Sequence, residues 1–247
     1  MESCAADIHK CTSSRVGAMA GPWLCWGCVN DQPCLRLLDK IREHLCSTLI
    51  LAVVCVWGVR LTANWAYTFQ NLNWQDWRYT MLKEKTGRAY PLINFLGIHL
   101  FPTIVVYLCV MPAVYLIESG AQINRFLVLG CVISLLGALT QAIADLQMHK
   151  YRKNRVGNFI RTGLWKHSRH PNYLGEILMW WGVAIACAVT LNKVYLITGA
   201  VVNTLMFFFV SIPMADKRQS RKEGFEEYKR QTRMLLPIKK FQIVKQV

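Results

Sequence analysis

The stretch Gly163-Leu164-Trp165-Lys166-His167-Ser168-Arg169-His170-Pro171-Asn172-Tyr173-Leu174-Gly175-Glu176 is a basic loop that runs straight into an apolar helix. Pro171 cannot continue a preceding helix but suits the first turn of a new one, so a helix starts there. That start leaves unpaired backbone N–H groups and a positive dipole end beside Arg169 and His170, a geometry matched to phosphate. Asn172 and Glu176 lie one turn apart and share a face. Acids favour a first helical turn without any function. An acid carried into an apolar span, however, needs a partner or a task, and its alignment with Asn172 favours the task.

The helix that begins here is one of five apolar stretches, at about 45–66, 92–117, 126–146, 173–190 and 194–214. Each approaches the ~20 residues that a helix needs to cross a bilayer. The expected fold is therefore all-α, a multi-pass transmembrane helical bundle with five clear spans. Only Leu191, Asn192 and Lys193 separate the last two, which predicts a tight antiparallel pair. The apolar run 18–29 is too short to span and is broken by Gly21, Pro22 and Gly27. Residues 1–44 thus read as an atypical or partly disordered segment, and 45–247 as the membrane domain with a basic tail.

Composition agrees. Of 247 residues, 53% are hydrophobic and 17% charged, against roughly 25% charged in soluble domains. The net charge of +15 lies between the apolar blocks. Nucleic-acid binding fits that arrangement poorly, because the cations do not line one soluble face. If the spans alternate, segments 67–91, 148–172 and 215–247 share a side and carry four, seven and ten Lys/Arg; segments 118–125 and 191–193 on the other side carry one each. The positive-inside rule places the rich side, with the C-terminus, in the cytoplasm. Arg36, Lys40 and Arg42 conflict with this, since they abut the first span on its far side.

Ten cysteines are present, six within the first 46 residues. Cys25 and Cys28 form a Cys-x-x-Cys pair, but no second pair or His cluster accompanies it, so no metal site is expected. Cys55, Cys109, Cys131 and Cys187 fall inside apolar spans and read as small core residues.

At the end of the third span Gln141, Asp145 and His149 are spaced four apart and stack on one helical face, which Arg152 continues. Solvation of a helix end accounts for His149 and Arg152. Gln141 and Asp145 interrupt an apolar run, and Asp145 needs a partner, either Arg152 or a ligand. The cations from Lys150 to Lys166 suit anionic lipid head groups as well as a cofactor.

The residues Arg161-Thr162-Gly163-Leu164-Trp165 and Ser168-Arg169-His170-Pro171-Asn172-Tyr173-Leu174-Gly175-Glu176 resemble the C-terminal signature of the steroid 5-alpha-reductase superfamily, in particular the branch of uncharacterised membrane proteins grouped with those reductases. Gln141 and Asp145 fall where the family carries Asn and Asp, and Arg152 falls on a family Arg. The segments Asn73-Trp74-Gln75-Asp76-Trp77-Arg78-Tyr79 and Phe225-Glu226-Glu227-Tyr228 through Leu236-Pro237 are also similar. The resemblance covers roughly residues 45 to 240. It implies a six- to seven-span fold, here with a shortened N-terminal part, in the endoplasmic reticulum.

It further implies a reductase that binds NADPH among transmembrane helices and reduces a carbon–carbon double bond conjugated to a carbonyl in a lipophilic, steroid- or lipid-like substrate. No G-x-G-x-x-G fingerprint is present. By resemblance Gln141, Asp145, Arg152, Asn172 and Glu176 contact the cofactor, joined by Arg169, His170 and Tyr173. Lys217, Arg218 and Arg221 offer partners for the 2′-phosphate. The family holds the substrate carbonyl with a Tyr and a Glu from early helices. Counting back from Arg60, the Tyr position falls on Trp57, which can donate a hydrogen bond but is no acid.

Two alternatives stand beside this reading. Isoprenylcysteine and phospholipid methyltransferases, which bind S-adenosylmethionine, carry an Arg-His-Pro-x-Tyr-x-Gly motif that residues 169–175 also satisfy. A non-catalytic membrane protein that keeps the scaffold is the other. Expected partners are membrane lipids and a lipophilic small molecule, not nucleic acid.

Overall fold

The computed structural model of this protein describes residues 33–69, 77–155 and 157–236. These residues form helices α1 (Pro33–Thr68), α2 (Trp77–Glu118), α3 (Arg125–Asn154), α4 (Pro171–Leu191), α5 (Val194–Gln219) and the short α6 (Phe225–Gln231). Helices α1 to α5 are each long and apolar enough to cross a membrane. Among the described residues no strand forms; a single bridge joins Ser168 to Arg233. The fold is the all-α bundle expected, with the five spans where hydropathy puts them.

Two helices reach beyond their apolar cores. Helix α1 starts by Pro33, ahead of the apolar stretch that begins at about 45. Helix α2 starts at Trp77, so most of the expected loop 67–91 is helical, with a 3₁₀ turn at Gly87–Ala89. The Cys25–Cys28 pair lies outside the described residues.

The bundle is organised on α3 and α4. In a bilayer, lipid is as apolar as leucine, so helices associate where small residues let backbones approach. Gly130, Ser134 and Gly137 of α3 face Ala186, Gly182, Met179 and Gly175 of α4 in antiparallel register. A Cβ on Gly130 would stand 2.5 Å from Ala186 Cβ, and one on Gly137 would stand 2.6 Å from Gly175 O. Ser134 Oγ donates to Met179 O at 2.8 Å across the seam. At the far end Asn124 caps α3 by accepting from the N–H groups of Phe126 and Leu127, and its amide donates to Thr190 of α4 at 2.9 Å. The tight α4–α5 turn closes with Asn192 in the left-handed region, φ 52°, and Lys193 N donating to Ala188 O.

Helices α1, α2 and α5 pack around this pair. The core they share includes Ile50, Trp57, Val105, Leu116, Leu127, Met179, Trp180 and Val183. The outward faces of α1 to α3 remain apolar, with Val59, Leu92, Tyr107 and Leu146 exposed, as lipid-facing surfaces require. Cys46, Cys109, Cys131 and Cys187 are buried free thiols, whereas Cys55 is exposed on α1 rather than in the core. Two walls each carry a proline just after a π turn. Pro102 and Pro213 lack an N–H to donate to the preceding turn, and π turns precede them at Phe95–Leu100 and Phe207–Ser211.

Candidate functional site

Between the five long helices, toward their Lys/Arg-rich end, lies a cavity of about 280 Å³. Its polar side is built by the seam. Because Gly137 and Gly175 touch, Gln141 of α3 and Glu176 of α4 meet directly, the Gln141 amide donating to the carboxylate. Trp57 of α1 donates its indole N–H to both Glu176 oxygens, at 3.0 and 3.1 Å. Trp180, one turn along α4, donates at 2.8 Å. Arg60 Nη2 stands 3.9 Å from the same carboxylate. Each of these four groups is a donor. The carboxylate is therefore held by the protein itself and ties three helices together.

Asp145 accepts from Arg60 Nη1 at 2.6 Å, with both side chains largely buried. His149, one turn further, lies 2.8 Å from Asn64 Oδ1 and packs against Tyr67. Gln141, Asp145 and His149 thus share a face, as their spacing predicts, but His149 meets α1 where solvation was expected. The partner of Asp145 is Arg60, however, not Arg152. A lone arginine inside a span was the signal for it.

The cavity brings together six of the residues singled out in the sequence: Trp57, Gln141, Asp145, Asn172, Tyr173 and Glu176. Four buried polar atoms on its walls have no hydrogen-bond partner: Gln141 Oε1, Asn172 Oδ1, Arg60 Nε and Asn203 Nδ2. Asn203, Asn64 and Trp180 were not foreseen. The first two are isolated amides in apolar helices, a signal that sequence does carry.

Three predicted residues lie elsewhere. Arg152 is exposed and outside the cavity wall. Arg169 and His170 turn toward Asp216 of α5. Arg169 Nη2 donates to it at 3.1 Å, and His170 Nε2 is 2.9 Å from its other oxygen. The anion at the start of α4 is thus an internal carboxylate where a phosphate was expected. Arg169 also donates to Thr232 O and, through its backbone N–H, to Arg233 O, each at 2.9 Å. Tyr173 bridges the two regions, stacked on His170 at 5.2 Å and packed on Phe207 at 4.8 Å.

The same clamp secures the segment after α5. The Tyr228 hydroxyl donates to Trp165 O, and the Trp165 indole donates to Ala144 O at 3.2 Å. Phe159, Phe225 and Tyr228 form a small aromatic cluster. Burial pushes the Tyr228 phenol up to about 12. Exposed Lys217, Arg218 and Arg221 border this end, with Arg218 4.5 Å over the Trp77 ring. Burial, with the neighbouring Arg218 and Arg155 guanidinium groups, holds the Lys222 ammonium below the ordinary lysine range.

Fold and site together define a multi-pass helical membrane protein with a polar-walled cavity inside the bundle. Over residues 28–232 the chain matches the family described as "Protein of unknown function (DUF1295)", and it belongs to that family. An uncharacterized protein of Schizosaccharomyces pombe is 25% identical over 149 residues, which cover 51% of this chain and 43% of the yeast protein. The match thus spans less than half of that relative. No solved structure matches.

Proposed function

We propose that this protein is a membrane-bound NADPH-dependent reductase of a carbon–carbon double bond in a lipophilic enone, related to the steroid 5-alpha-reductases. One observation carries the proposal: Gln141, Asp145, Asn172, Tyr173 and Glu176 line one cavity inside the bundle, where Gln141 Oε1 and Asn172 Oδ1 are buried without partners. The Gln141 orientation is chemically fixed, because its N–H must face Glu176; its oxygen therefore points elsewhere as an acceptor. Two such acceptors fit the carboxamide or ribose hydroxyls of a reduced nicotinamide nucleotide.

The cavity lies near the lower end of ligand pockets, about 300 Å³. It suits one end of an elongated ligand rather than the whole. Lys217, Arg218 and Arg221 would border the phosphates, including the 2′-phosphate. The bound nucleotide supplies a hydride. The chain's own residues bind and orient. Glu176 fixes Gln141, Trp57 and Trp180, while Asp145 acts through Arg60. On this reading the basic end faces the cytoplasm, where the nucleotide is available, and the membrane is that of the endoplasmic reticulum. Membrane lipids surround the bundle, and the substrate comes from among lipophilic molecules.

The test is thermal stabilisation of the detergent-purified chain by NADPH, NADH and S-adenosylmethionine. NADPH is expected to stabilise most, with added salt narrowing its lead over NADH. Asn172→Ala is expected to abolish the NADPH shift while leaving the ligand-free melting point near the parent's. Stabilisation by S-adenosylmethionine alone would transfer the site to methyl transfer. No shift with any of the three would leave a non-catalytic scaffold.

A further inference from the structure

Asn203 lies opposite the polar wall of the cavity. Helix α5 contributes Asn203, Met206 and Phe207 to the lining, and α2 contributes Pro102, Val105, Val106 and Cys109. One turn before Asn203, Gly199 rests on the backbone of α2: a Cβ there would collide with Leu108 O and lie 2.6 Å from Cys109 N. Residues i and i+4 share a helix face, so the contact that seats α5 on α2 also turns Asn203 inward. Its side chain is 4% exposed, and its Nδ2 has no partner.

The next residue shows how α5 otherwise treats a polar group. Thr204 donates to Ala200 O at 2.7 Å and accepts from the Trp181 indole at 2.9 Å. A buried amide N–H with nothing to donate to is costly in an apolar setting, and hydrocarbon outside the bundle offers no acceptor. Other side-chain donors of the cavity lie on its polar side, where Arg60 Nε also lacks a partner. Trp57 and Trp180 give their indole N–H groups to Glu176, and Arg60 gives Nη1 to Asp145. Asn203 is the donor that faces the apolar side.

We propose that Asn203 binds the carbonyl oxygen of a lipophilic ligand, its side-chain N–H donating while Val105, Val106, Met206 and Phe207 hold the hydrocarbon. The assignment rests on the cavity binding a lipophilic carbonyl compound, as the reductase reading requires. In that reading Asn203 takes the part closed to Trp57, whose single N–H is committed to Glu176. A donor placed at that oxygen also stabilises charge developing on it when the conjugated double bond is reduced.

The experiment uses the full chain in detergent and two probes, trans-3-nonen-2-one and trans-3-nonene, the matching alkene without a carbonyl. The parent is expected to be stabilised more by the ketone than by the alkene at equal concentration. Asn203→Leu, close in volume and without a donor, is expected to treat the probes alike, losing about tenfold in ketone affinity. It should keep the NADPH shift and melt no earlier than the parent without ligand. Asn203→Val, smaller and also without a donor, is expected to lose the ketone preference as well.

The proposal is overturned if the parent shows no preference for the ketone, if either variant keeps that preference, or if the ligand-free Leu variant melts well below the parent, which marks a structural amide. NADPH is measured in parallel. A ketone preference that depends on Asn203 without any NADPH shift would sink the reductase reading and leave this assignment standing.

Discussion

The seam between α3 and α4 makes a quantitative prediction. A Cβ on Gly182 would lie 2.5 Å from Gly130 O and 2.6 Å from Ser134 N, where ordinary contact begins at 3.4 Å. Both obstacles are backbone, so no rotamer change relieves them. Gly182→Ala must move the helices apart by about 1 Å, a gap that forfeits a quarter to a half of each dispersion contact along the line. Overpacking of this kind costs about 1–3 kcal/mol. The Ser134 bond to Met179 O stretches with it, adding about 1 kcal/mol. The expected loss is therefore about 2–4 kcal/mol, or roughly 4–16 °C in melting temperature. The control is Gly58→Ala on α1, where nothing lies within 4 Å of the added methyl; it should melt with or slightly above the parent. Melting in detergent, followed by circular dichroism, reads both. Gly182→Ala melting with the parent would refute the close-contact seam.

Other outcomes follow from single contacts. Arg60→Met leaves Asp145 buried and unpaired and should cost about 3–5 kcal/mol, while Arg60→Met with Asp145→Leu should recover most of it in a double-mutant cycle. Asp145→Ala likewise strands Arg60, so it should destabilise the protein even without ligand, unlike Asn172→Ala; equal ligand-free melting of the two would count against the ion pair. Asp216→Asn weakens the hold on Arg169 and His170 and should speed trypsin cleavage between residues 220 and 236, read by mass spectrometry, with the spans still protected. For Tyr228, the folded phenol titrates above the unfolded one, so its stabilisation is full below pH ~10 and lost as pH rises toward 12. Alkaline melting curves of the parent should therefore fall more steeply than those of Tyr228→Phe.

Sequence carried the spans well because each is a block of apolar residues long enough to cross a bilayer. It carried the start of α4 well because Pro171 is unambiguous. It also placed Gln141, Asp145, Asn172 and Glu176 around one point, since helical periodicity fixes their faces. It hid what depends on distant partners. Nothing near Asp216 announces that Arg169 and His170, some 46 residues earlier, will close on it, so those two read as open cation sites. The helical stretch at Trp77–Ala89 is too polar to register as part of a span, although Met81, Leu82, Lys83, Glu84 and Lys85 are good helix formers. The glycines of the seam were visible, but which pairs meet follows only from the antiparallel register of α3 and α4.

That register has a mechanical corollary. The α3–α4 side of the cavity is fastened backbone to backbone, so it behaves as an anvil that no occupant can indent. Helices α2 and α5 form the opposite jaw, and each carries a loosened π turn beside a proline, at Phe95–Leu100 and Phe207–Ser211. A bulkier occupant must therefore find its room by displacing that jaw. Changes in ligand size should register first as shifts in Pro102, Met206 and Phe207, while the spacing between Gln141 and Glu176 stays constant.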